Sequence, residues 1–253
     1  MTLYGVGLGP GDTGLVTVRG VEVLESVDVV YSPGRLSRRV AGAYVPEERL
    51  SDLSFPMTRD PEELRRAWRE AADAVAPRAE DGDAAFVTLG DPNVYSTFGH
   101  LRRTLDRFHP DVDVEVVPGV SSVTAFATAL GVEIEAGASL TLAEAAEGAA
   151  PIGPDRLVLF KVTDARGTYD RLVEAGYDVT FGRRLFMEER DGRHRRSGRA
   201  RSAGLLHARV RRETGGKAGG AGPLRGVRTG SHRVRIVEGG YMPEVVHSNG
   251  DER

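Results

Sequence analysis

The chain has 253 residues, enough for one large or two small domains with a substantial core. It contains no cysteine, which excludes disulfides, thiolate metal sites and a cysteine nucleophile. The sequence has no apolar run of about 18 residues and no charged-then-apolar leader. We therefore expect no membrane span and no export, and a cytoplasmic location.

Charge is distributed unevenly along the chain. Residues 1–190 carry 31 acidic and 20 basic residues, a net charge of −11, whereas residues 191–253 carry 6 and 14, a net charge of +8. An acidic body argues against nucleic-acid binding by that part of the chain.

Strand-like and helical patterns alternate up to about residue 180, which predicts α/β units with a mainly parallel sheet. Residues 3–12 read as a short strand that runs into a glycine-rich turn. Residues 15–24 then have a helical pattern, and residues 28–31 read as a second strand.

Residues 61–75 predict a strong helix. Asp60 is a suitable N-cap, Pro61 occupies the first helical position, and acidic residues fill the first turn. Its predicted buried stripe consists of Leu64, Trp68, Ala71, Ala72 and Val75.

The next segment combines a strand, a turn and a helix start. The apolar run Ala84–Val87 reads as a buried strand, Gly90-Asp91-Pro92 as a turn, and residues 99–107 as a helix. Small ligands bind at the carboxyl ends of strands in open α/β sheets, so residues 88–98 are predicted to form a ligand loop.

A further strand, residues 114–117, is followed by the turn Pro118-Gly119, which we predict as the domain boundary. Ser121-Ser122 then begins a helix that continues to Leu130. Residues 156–162 form another apolar strand.

Taken in order and with their spacing, the segments around residues 5–12, 84–98, 114–122 and 156–162 resemble the tetrapyrrole (corrin and porphyrin) methyltransferase family. The resemblance extends from residue 1 to about residue 189. The form Gly-Asp-Pro-x-Val-Tyr-Ser-Thr-Phe at residues 90–98, with Phe55-Pro56-Met57 upstream, most resembles the enzymes that methylate C20 of precorrin-2 or cobalt-factor II.

The resemblance implies a two-domain α/β fold with a cofactor cleft between the domains. A mainly parallel sheet is expected in residues 1–118, and a mixed sheet begins in residues 119–190. It also implies S-adenosylmethionine as methyl donor, a tetrapyrrole as substrate and a homodimer.

The cofactor residues that the resemblance implies lie in four loops: Pro10, Gly90, Asp91, Val94, Ser121, Ser122 and Lys161. Simpler interpretations exist, because Asp and Pro are ordinary turn formers and a serine pair is an ordinary N-cap. The glycines at positions 5, 7, 9 and 11 do not match the dinucleotide fingerprint Gly-x-Gly-x-x-Gly in either register.

The predicted substrate-binding residues are Gly9, Gly11, Arg35, Arg38, Ser96 and Thr97. Arginine suits the carboxylates of a tetrapyrrole because its guanidinium binds them in a two-pronged geometry, although a solvated surface loop would have the same composition. Tyr95, His100 and Asp12 are the candidates for accepting the C20 proton. The six histidines form no metal-binding pattern.

Residues 191–253 form a basic tail rich in arginine and glycine. It can be interpreted as a disordered arm that binds nucleic acid or another anionic partner, as a solvated tail, or as the product of a frameshift near Glu189 or Arg190. Residues 204–211 can be encoded so that the shifted frame reads Asp-Tyr-Tyr-Thr-Leu-Ala-Tyr, which resembles the closing strand of the family.

The sequence therefore predicts an S-adenosylmethionine-dependent C20-methyltransferase of cobalamin biosynthesis. Two alternatives remain. One is another enzyme of the same fold, acting on a different corrinoid position or on a diphthamide precursor. The other is a non-catalytic protein, either a methyltransferase remnant or a basic-tailed binding protein.

Overall fold

The computed structural model describes residues 2–56, 58, 60–145, 153, 156–160, 162–182, 185–186, 207–209 and 233–237. These residues divide into two compact units, the first ending at Ala125 and the second beginning at Phe126. The turn predicted as the domain boundary, Pro118-Gly119, lies shortly before this division.

Strands and helices alternate through the first unit. In chain order they are β1 (Thr2–Gly7), α1 (Val18–Ser26), β2 (Val29–Ser32), α2 (Arg35–Ala41), β3 (Leu50–Asp52), α3 (Pro61–Asp81), β4 (Ala84–Thr88), α4 (Phe98–Phe108), β5 (Asp113–Val117) and the start of α5 (Ser122–Ala129). Short 3-10 turns at Thr13–Leu15 and Glu47–Arg49 precede α1 and β3.

The five strands form one sheet in the order β3-β2-β4-β1-β5, and every pair is parallel. The predicted parallel sheet is thus confirmed. Because all the strands run the same way, the loops that leave β1, β2, β3, β4 and β5 emerge at one edge of the sheet.

Both faces of the sheet are buried along its central strand β4, as expected for a parallel strand with helical crossovers on both sides. Along β4, Ala84 and Phe86 pack with α3 and α4, whereas Ala85 and Val87 pack with α1 and α2. Successive side chains point to opposite faces, so one short apolar strand contributes to both cores.

Helix α3 has the predicted start and the predicted buried stripe. The carboxylate of Asp60 accepts a hydrogen bond from the Glu62 backbone N–H at 2.9 Å, and Pro61 is the first helical residue. All five predicted stripe residues are buried. The helix continues to Asp81 with Pro77 inside it, because Ala76 and Ala79 extend the buried face past the proline.

Helix α1 begins at Val18, three residues later than the pattern predicts. The side chain of Thr17 caps it by accepting a hydrogen bond from Gly20 N at 3.1 Å, and Leu15 lies in the preceding 3-10 turn. A local cap therefore overrides the apolar periodicity at this helix start.

The second unit contains a mixed sheet. Its elements are the remainder of α5, β6 (Leu140–Glu144), β7 (Arg156–Phe160), α6 (Ala165–Glu174), β8 (Asp178–Thr180), β9 (His207–Arg209) and β10 (Arg233–Val237). The strand order is β6-β7-β10-β9-β8, parallel from β6 to β10 and antiparallel from β10 to β8. This confirms the predicted mixed sheet.

Apart from β9 and β10, residues 191–253 lie outside the described residues, as does the predicted frame change near Glu189 or Arg190. Among the helices that the structure describes, none is long and apolar enough to cross a membrane.

Candidate functional site

The candidate site lies where three loops leave the central strands of the first sheet. These loops follow β1, β4 and β5, which are neighbours in the order β4-β1-β5. Gly9 N donates to Gly90 O at 3.2 Å and Gly90 N donates to Gly9 O at 2.6 Å, so the first two loops are paired beyond the ends of their strands. Both glycines have a positive φ, near 70°, which favours glycine.

Three glycines bring these loops into backbone contact. A Cβ atom at Gly7 would lie 2.6 Å from the Cα of Gly119 and 2.7 Å from the carbonyl oxygen of Gly90. A Cβ atom at Gly119 would collide with the same carbonyl oxygen and with the backbone of Gly7. The loops can therefore meet only because these positions have no side chain.

Asp91 fastens the β4 loop to the β5 loop. One carboxylate oxygen accepts a hydrogen bond from Asn93 N at 2.9 Å, and the other accepts one from Gly119 N at 3.1 Å. The turn is completed by Val94 N, which donates to the backbone carbonyl of Asp91 at 3.2 Å. Since both carboxylate oxygens are engaged by backbone N–H groups, this residue shapes the loop.

Val94 and Tyr95 are the apolar surface of this loop, 37% and 48% exposed. Tyr95 has a φ of +50°, the one positive φ of a non-glycine residue in the part of the chain that the structure describes. Such a conformation costs about 1 kcal/mol or more and is concentrated at functional sites. Exposed apolar side chains on a strained loop are suited to contact with a ligand.

Ser96 and Thr97 end the loop at the start of α4. The Ser96 hydroxyl donates to Thr88 Oγ1 and accepts from Phe98 N, each at 3.1 Å. Thr97 is buried, and its hydroxyl has no hydrogen-bond partner among the described residues. The structure thus gives Ser96 a local structural role and leaves Thr97 with unused hydrogen-bonding capacity.

The loop after β1 holds Gly9, Pro10 and Gly11, all buried, and then the exposed residue Asp12. Gly11 has a φ of +123°, accessible to glycine alone. One oxygen of Asp12 accepts a hydrogen bond from Gly14 N at 2.9 Å and caps the 3-10 turn.

Ser121 and Ser122 begin α5 beside this group. Ser121 Oγ accepts a hydrogen bond from Val123 N at 3.3 Å, in the manner of an N-cap. Ser122 Oγ lies 3.2 Å from where a Cβ atom of Gly90 would stand. The structure therefore brings Gly90, Asp91 and Ser122 together.

Lys161, the remaining predicted cofactor residue, lies outside the described residues.

The two predicted substrate arginines differ in their surroundings. Arg38 forms ion pairs with Glu47 and with Asp52, the latter at 3.0 Å. The hydrogen bond with Glu47, and then that with Asp52, raises the pKa of Arg38 above its ordinary value. Arg35 lies exposed at the start of α2. Arg35 is therefore better placed to bind a carboxylate ligand, because Arg38 already has two carboxylates of its own chain.

His100 lies in the first turn of α4, where its ring stacks on that of Trp68 with centroids 5.3 Å apart. Its Nδ1 lies 3.0 Å from Nη2 of Arg103. His100 is therefore packed against Trp68 and Arg103.

Sequence reasoning missed Thr17, whose hydroxyl donates to the carbonyl oxygen of Pro118 at 3.3 Å as well as capping α1. No local pattern could have indicated a bond across this sequence separation. The role of Gly7 and Gly119 was also missed, although their positions at or just after strand ends were a signal for close backbone approach. In the described part of the chain, no group of three His, Asp or Glu residues is arranged to hold a metal ion.

The model of the family of tetrapyrrole (corrin/porphyrin) methylases matches residues 2–218. The chain belongs to this family. A probable cobalt-precorrin-2 C(20)-methyltransferase from Methanocaldococcus jannaschii is 38% identical over 141 residues, 53% of this chain and 60% of that protein. The chain thus aligns with less than two thirds of this relative's length.

Cobalt-precorrin-2 C(20)-methyltransferase from Salmonella typhimurium is 36% identical over 174 residues, 63% of this chain and 72% of that protein. Another member of the family, precorrin-4 C(11)-methyltransferase from Mycobacterium tuberculosis, is 32% identical over 160 residues, 61% of this chain and 59% of that protein.

Among solved structures, uroporphyrin-III-C-methyltransferase from Thermus thermophilus has the same fold, with a TM-score of 0.57 and 22% identity over 81% of this chain and 84% of that one.

Proposed function

We propose that this chain transfers a methyl group from S-adenosylmethionine to C20 of precorrin-2 or of its cobalt-containing form, in cobalamin biosynthesis. The observation that carries the proposal is the meeting of the β1, β4 and β5 loops through Gly7, Gly90 and Gly119, with the exposed side chains of Val94 and Tyr95 on the same loop as Gly90. The names of the two relatives that act at C20 support the choice of position.

The residues present fit such a methyl donor. The loops offer backbone groups and the hydroxyl of Ser122, which suit the amino acid part of S-adenosylmethionine. Val94 offers an apolar surface. We propose Pro10, Gly90, Asp91, Val94, Ser121, Ser122 and Lys161 as the cofactor side of the site. Gly9, Gly11, Arg35, Arg38, Ser96 and Thr97 are the proposed substrate side.

Bound S-adenosylmethionine supplies a methyl group that its sulfonium has already activated. The residues of this chain have to align that group with the carbon of the macrocycle and keep water out, which contributes several kcal/mol to catalysis. The backbone contacts among Gly7, Gly90 and Gly119 make these loops rigid, which preserves the alignment.

A proton must leave C20 after the transfer, and we propose Asp12 as its acceptor. Its carboxylate is exposed and can take a proton directly, and one of its oxygens is already oriented by Gly14 N. Tyr95 is 48% exposed and offers an aromatic ring and a hydroxyl, so we propose it as a contact for the substrate. Asp12→Asn keeps a capping side chain and should lower kcat by about 100-fold, and Tyr95→Phe should act mainly on KM. Equal kcat values for Asp12→Asn and the wild type would exclude Asp12.

Calorimetric titration of S-adenosylhomocysteine tests the cofactor site. It should be added to this chain and to a version in which the frame is restored after Glu189. Binding by both proteins places the cofactor site in the residues that they share. Binding by the restored protein alone would favour the frameshift among the three interpretations of residues 191–253 and would show that this tail disables the enzyme. Absence of binding by either protein contradicts the proposed function.

Methylation at a different position is the second candidate function, because a relative named for C11 of precorrin-4 also matches. Incubation with 13C-methyl S-adenosylmethionine and precorrin-2, with and without cobalt, followed by NMR of the product, distinguishes the two positions. A label at C20 supports our proposal and a label elsewhere refutes it. The cytoplasmic location and the homodimer also stay predictions, and sedimentation of the purified chain tests the second.

A further inference from the structure

An aromatic stack stands beside the ligand loop. Phe55, Trp68 and His100 come from three separate elements: the segment after β3, helix α3 and helix α4. The rings of Phe55 and Trp68 have centroids 4.1 Å apart and are tilted by 31°. Those of Trp68 and His100 are 5.3 Å apart and tilted by 23°. Trp68, which is only 5% exposed, thus contacts both of the other rings.

The contact with Arg103 defines the proton arrangement on His100. Nη2 of Arg103 lies 3.0 Å from Nδ1 of His100, and a guanidinium can only donate. Nδ1 is therefore the acceptor in this contact. A ring that stacks on Trp68 and accepts from Arg103 is held in place, which suits a positioning role.

The stack lies at the same sheet edge as the candidate site. Phe55 follows the carboxyl end of β3, and His100 lies three residues after Thr97 at the end of the ligand loop. The segment after β3 is tied to the end of β2 by Leu53 N, which donates to the carbonyl oxygen of Ser32 at 2.9 Å. The ring of Phe55 then contacts Trp68 of α3, which in turn contacts His100 of α4.

The indole at the centre of the stack is costly to bury. Nε1 of Trp68 is buried and has no hydrogen-bond partner among the described residues. A buried donor without an acceptor destabilises a fold, and a phenyl ring would avoid that cost. A phenyl ring, however, would not give the two flanking rings the large flat surface that the indole provides.

We propose that the aromatic stack of Phe55, Trp68 and His100 fixes residues 53–56 beside the ligand loop and thereby determines which edge of the tetrapyrrole faces the methyl donor. This inference rests on the proposed function. Within it, His100 is a positioning residue that acts through Trp68 and Phe55. In the proposed function the loops after β1, β4 and β5 hold S-adenosylmethionine. The choice of the carbon that is methylated therefore has to come from groups that contact the rim of the tetrapyrrole.

Trp68 is the only tryptophan among the 253 residues, so its fluorescence reports on the stack without any ligand. The test compares the wild type with His100→Ala, His100→Phe and Phe55→Leu. Phe108→Leu is the matched control, because Phe108 lies on the same helix α4 but is 44% exposed at its far end, against Arg69. Each protein is examined by acrylamide quenching, by titration with S-adenosylhomocysteine, and by kcat, KM and methyl position with precorrin-2.

We expect His100→Ala and Phe55→Leu to increase the quenching of Trp68, to leave the affinity for S-adenosylhomocysteine near that of the wild type, and to raise KM for precorrin-2 by about tenfold or more. Part of the product should carry its methyl group away from C20. His100→Phe restores the stacking partner and should recover both the fluorescence and KM. Phe108→Leu should resemble the wild type in every measurement.

Two results would overturn the inference. If His100→Ala and His100→Phe lose the same kcat with KM unchanged, His100 is a proton acceptor. If quenching changes while KM and methyl position do not, the stack is structural only. Failure of the proposed function gives a different result, because the wild type would then bind no S-adenosylhomocysteine or methylate no tetrapyrrole. In that case the role of the stack in choosing the methylated carbon would be refuted too, whatever the fluorescence of Trp68 shows.

Discussion

The two sheets of this chain are assembled in different ways. All five strands of the first sheet lie between Thr2 and Val117, and consecutive strands are joined by crossovers that run over its faces. The second sheet gathers strands from Leu140 to Val237, and its central strand β10 comes from the basic tail. The first sheet is complete without residues 191–253, whereas the second depends on them.

The strand pairing of the second sheet shows how this sheet depends on residues 191–253. β10 pairs in parallel with β7, Arg233 opposite Arg156, and antiparallel with β9. Without β10, the edge of β7 would expose unpaired backbone groups of a fully buried strand. A change in the tail should therefore affect the second unit far more than the first.

Removal of residues 191–253 should produce the largest effect. We expect amide protection to be lost in β6 and β7, because the central strand of their sheet is missing, and to be retained in β1 and β4. Hydrogen exchange read by mass spectrometry checks this. The full chain is the control, and equal protection of β7 in the truncated and the full chain would contradict the comparison.

Gly119→Ala should disturb the first unit alone. The new methyl group would collide with the carbonyl oxygen of Gly90 and the backbone of Gly7, which should lower the free energy of unfolding by about 1–3 kcal/mol. Binding of S-adenosylhomocysteine should weaken by about tenfold or more, since the loops have to separate.

Urea denaturation and calorimetry measure the two effects of this substitution. Gly34→Ala is the control, because a Cβ atom there has no neighbour within 4 Å and the backbone is extended. Equal stability of the two variants would show that the loops tolerate separation.

Two aspartates allow each unit to be weakened separately. Asp91→Ala removes the hydrogen bonds to Asn93 N and Gly119 N in the first unit, and should cost about 1–2 kcal/mol. Asp164→Ala removes the N-cap of α6 in the second unit, where Asp164 accepts from Gly167 N at 2.9 Å, and should cost about 1 kcal/mol.

Only Asp91→Ala should weaken binding of S-adenosylhomocysteine, and only Asp164→Ala should increase exchange of amides in α6. The reverse assignment would show that the two units do not respond independently.

The smallest effect concerns Asp73, where α3 meets the end of α4 in the first unit. A hydrogen bond with His109, and then one with Arg69, lowers the pKa of Asp73 below its ordinary value. A carboxyl whose pKa is depressed on folding stabilises the fold above its unfolded-state pKa, and this contribution is lost as the pH falls through the folded-state pKa.

Asp73→Asn should therefore slightly lower the urea midpoint of the first unit at pH 7. The difference from the wild type should begin to shrink as the pH falls below about 4, the ordinary pKa of an aspartate, and should vanish once the pH is below the lowered folded-state pKa. Asp106→Asn on α4 is the matched control. A difference that grows as the pH falls would contradict the sign of this linkage.

Much of the first unit was predictable because its signals are local. The start of α3 depends on Asp60 and Pro61, and its buried face on apolar spacing, all within the helix itself. The strand and turn at residues 84–92 follow from an apolar run and turn-forming residues. The exact start of α1 was missed because a single threonine cap outweighs periodicity.

The candidate site was predictable as a set of loops but not as a set of contacts. A Gly-Asp-Pro turn after a strand indicates a ligand loop, and the parallel order of the strands places such loops at one edge. That Asp91 binds Gly119 N, or that Arg38 is bound by Glu47 and Asp52, involves partners far apart in sequence. The roles of Asp91 and Arg38 thus had two open interpretations each until their partners were known.

Sequence by itself determined the alternation of strands and helices, the parallel character of the first sheet and the family, because periodicity, caps and turn chemistry act over a few residues. Tertiary structure alone decided that Gly7, Gly90 and Gly119 touch, that Trp68 contacts both Phe55 and His100, and that β10 enters the second sheet. Those contacts join distant parts of the chain, and they form only when the burial of apolar side chains offsets the entropy of bringing these parts together.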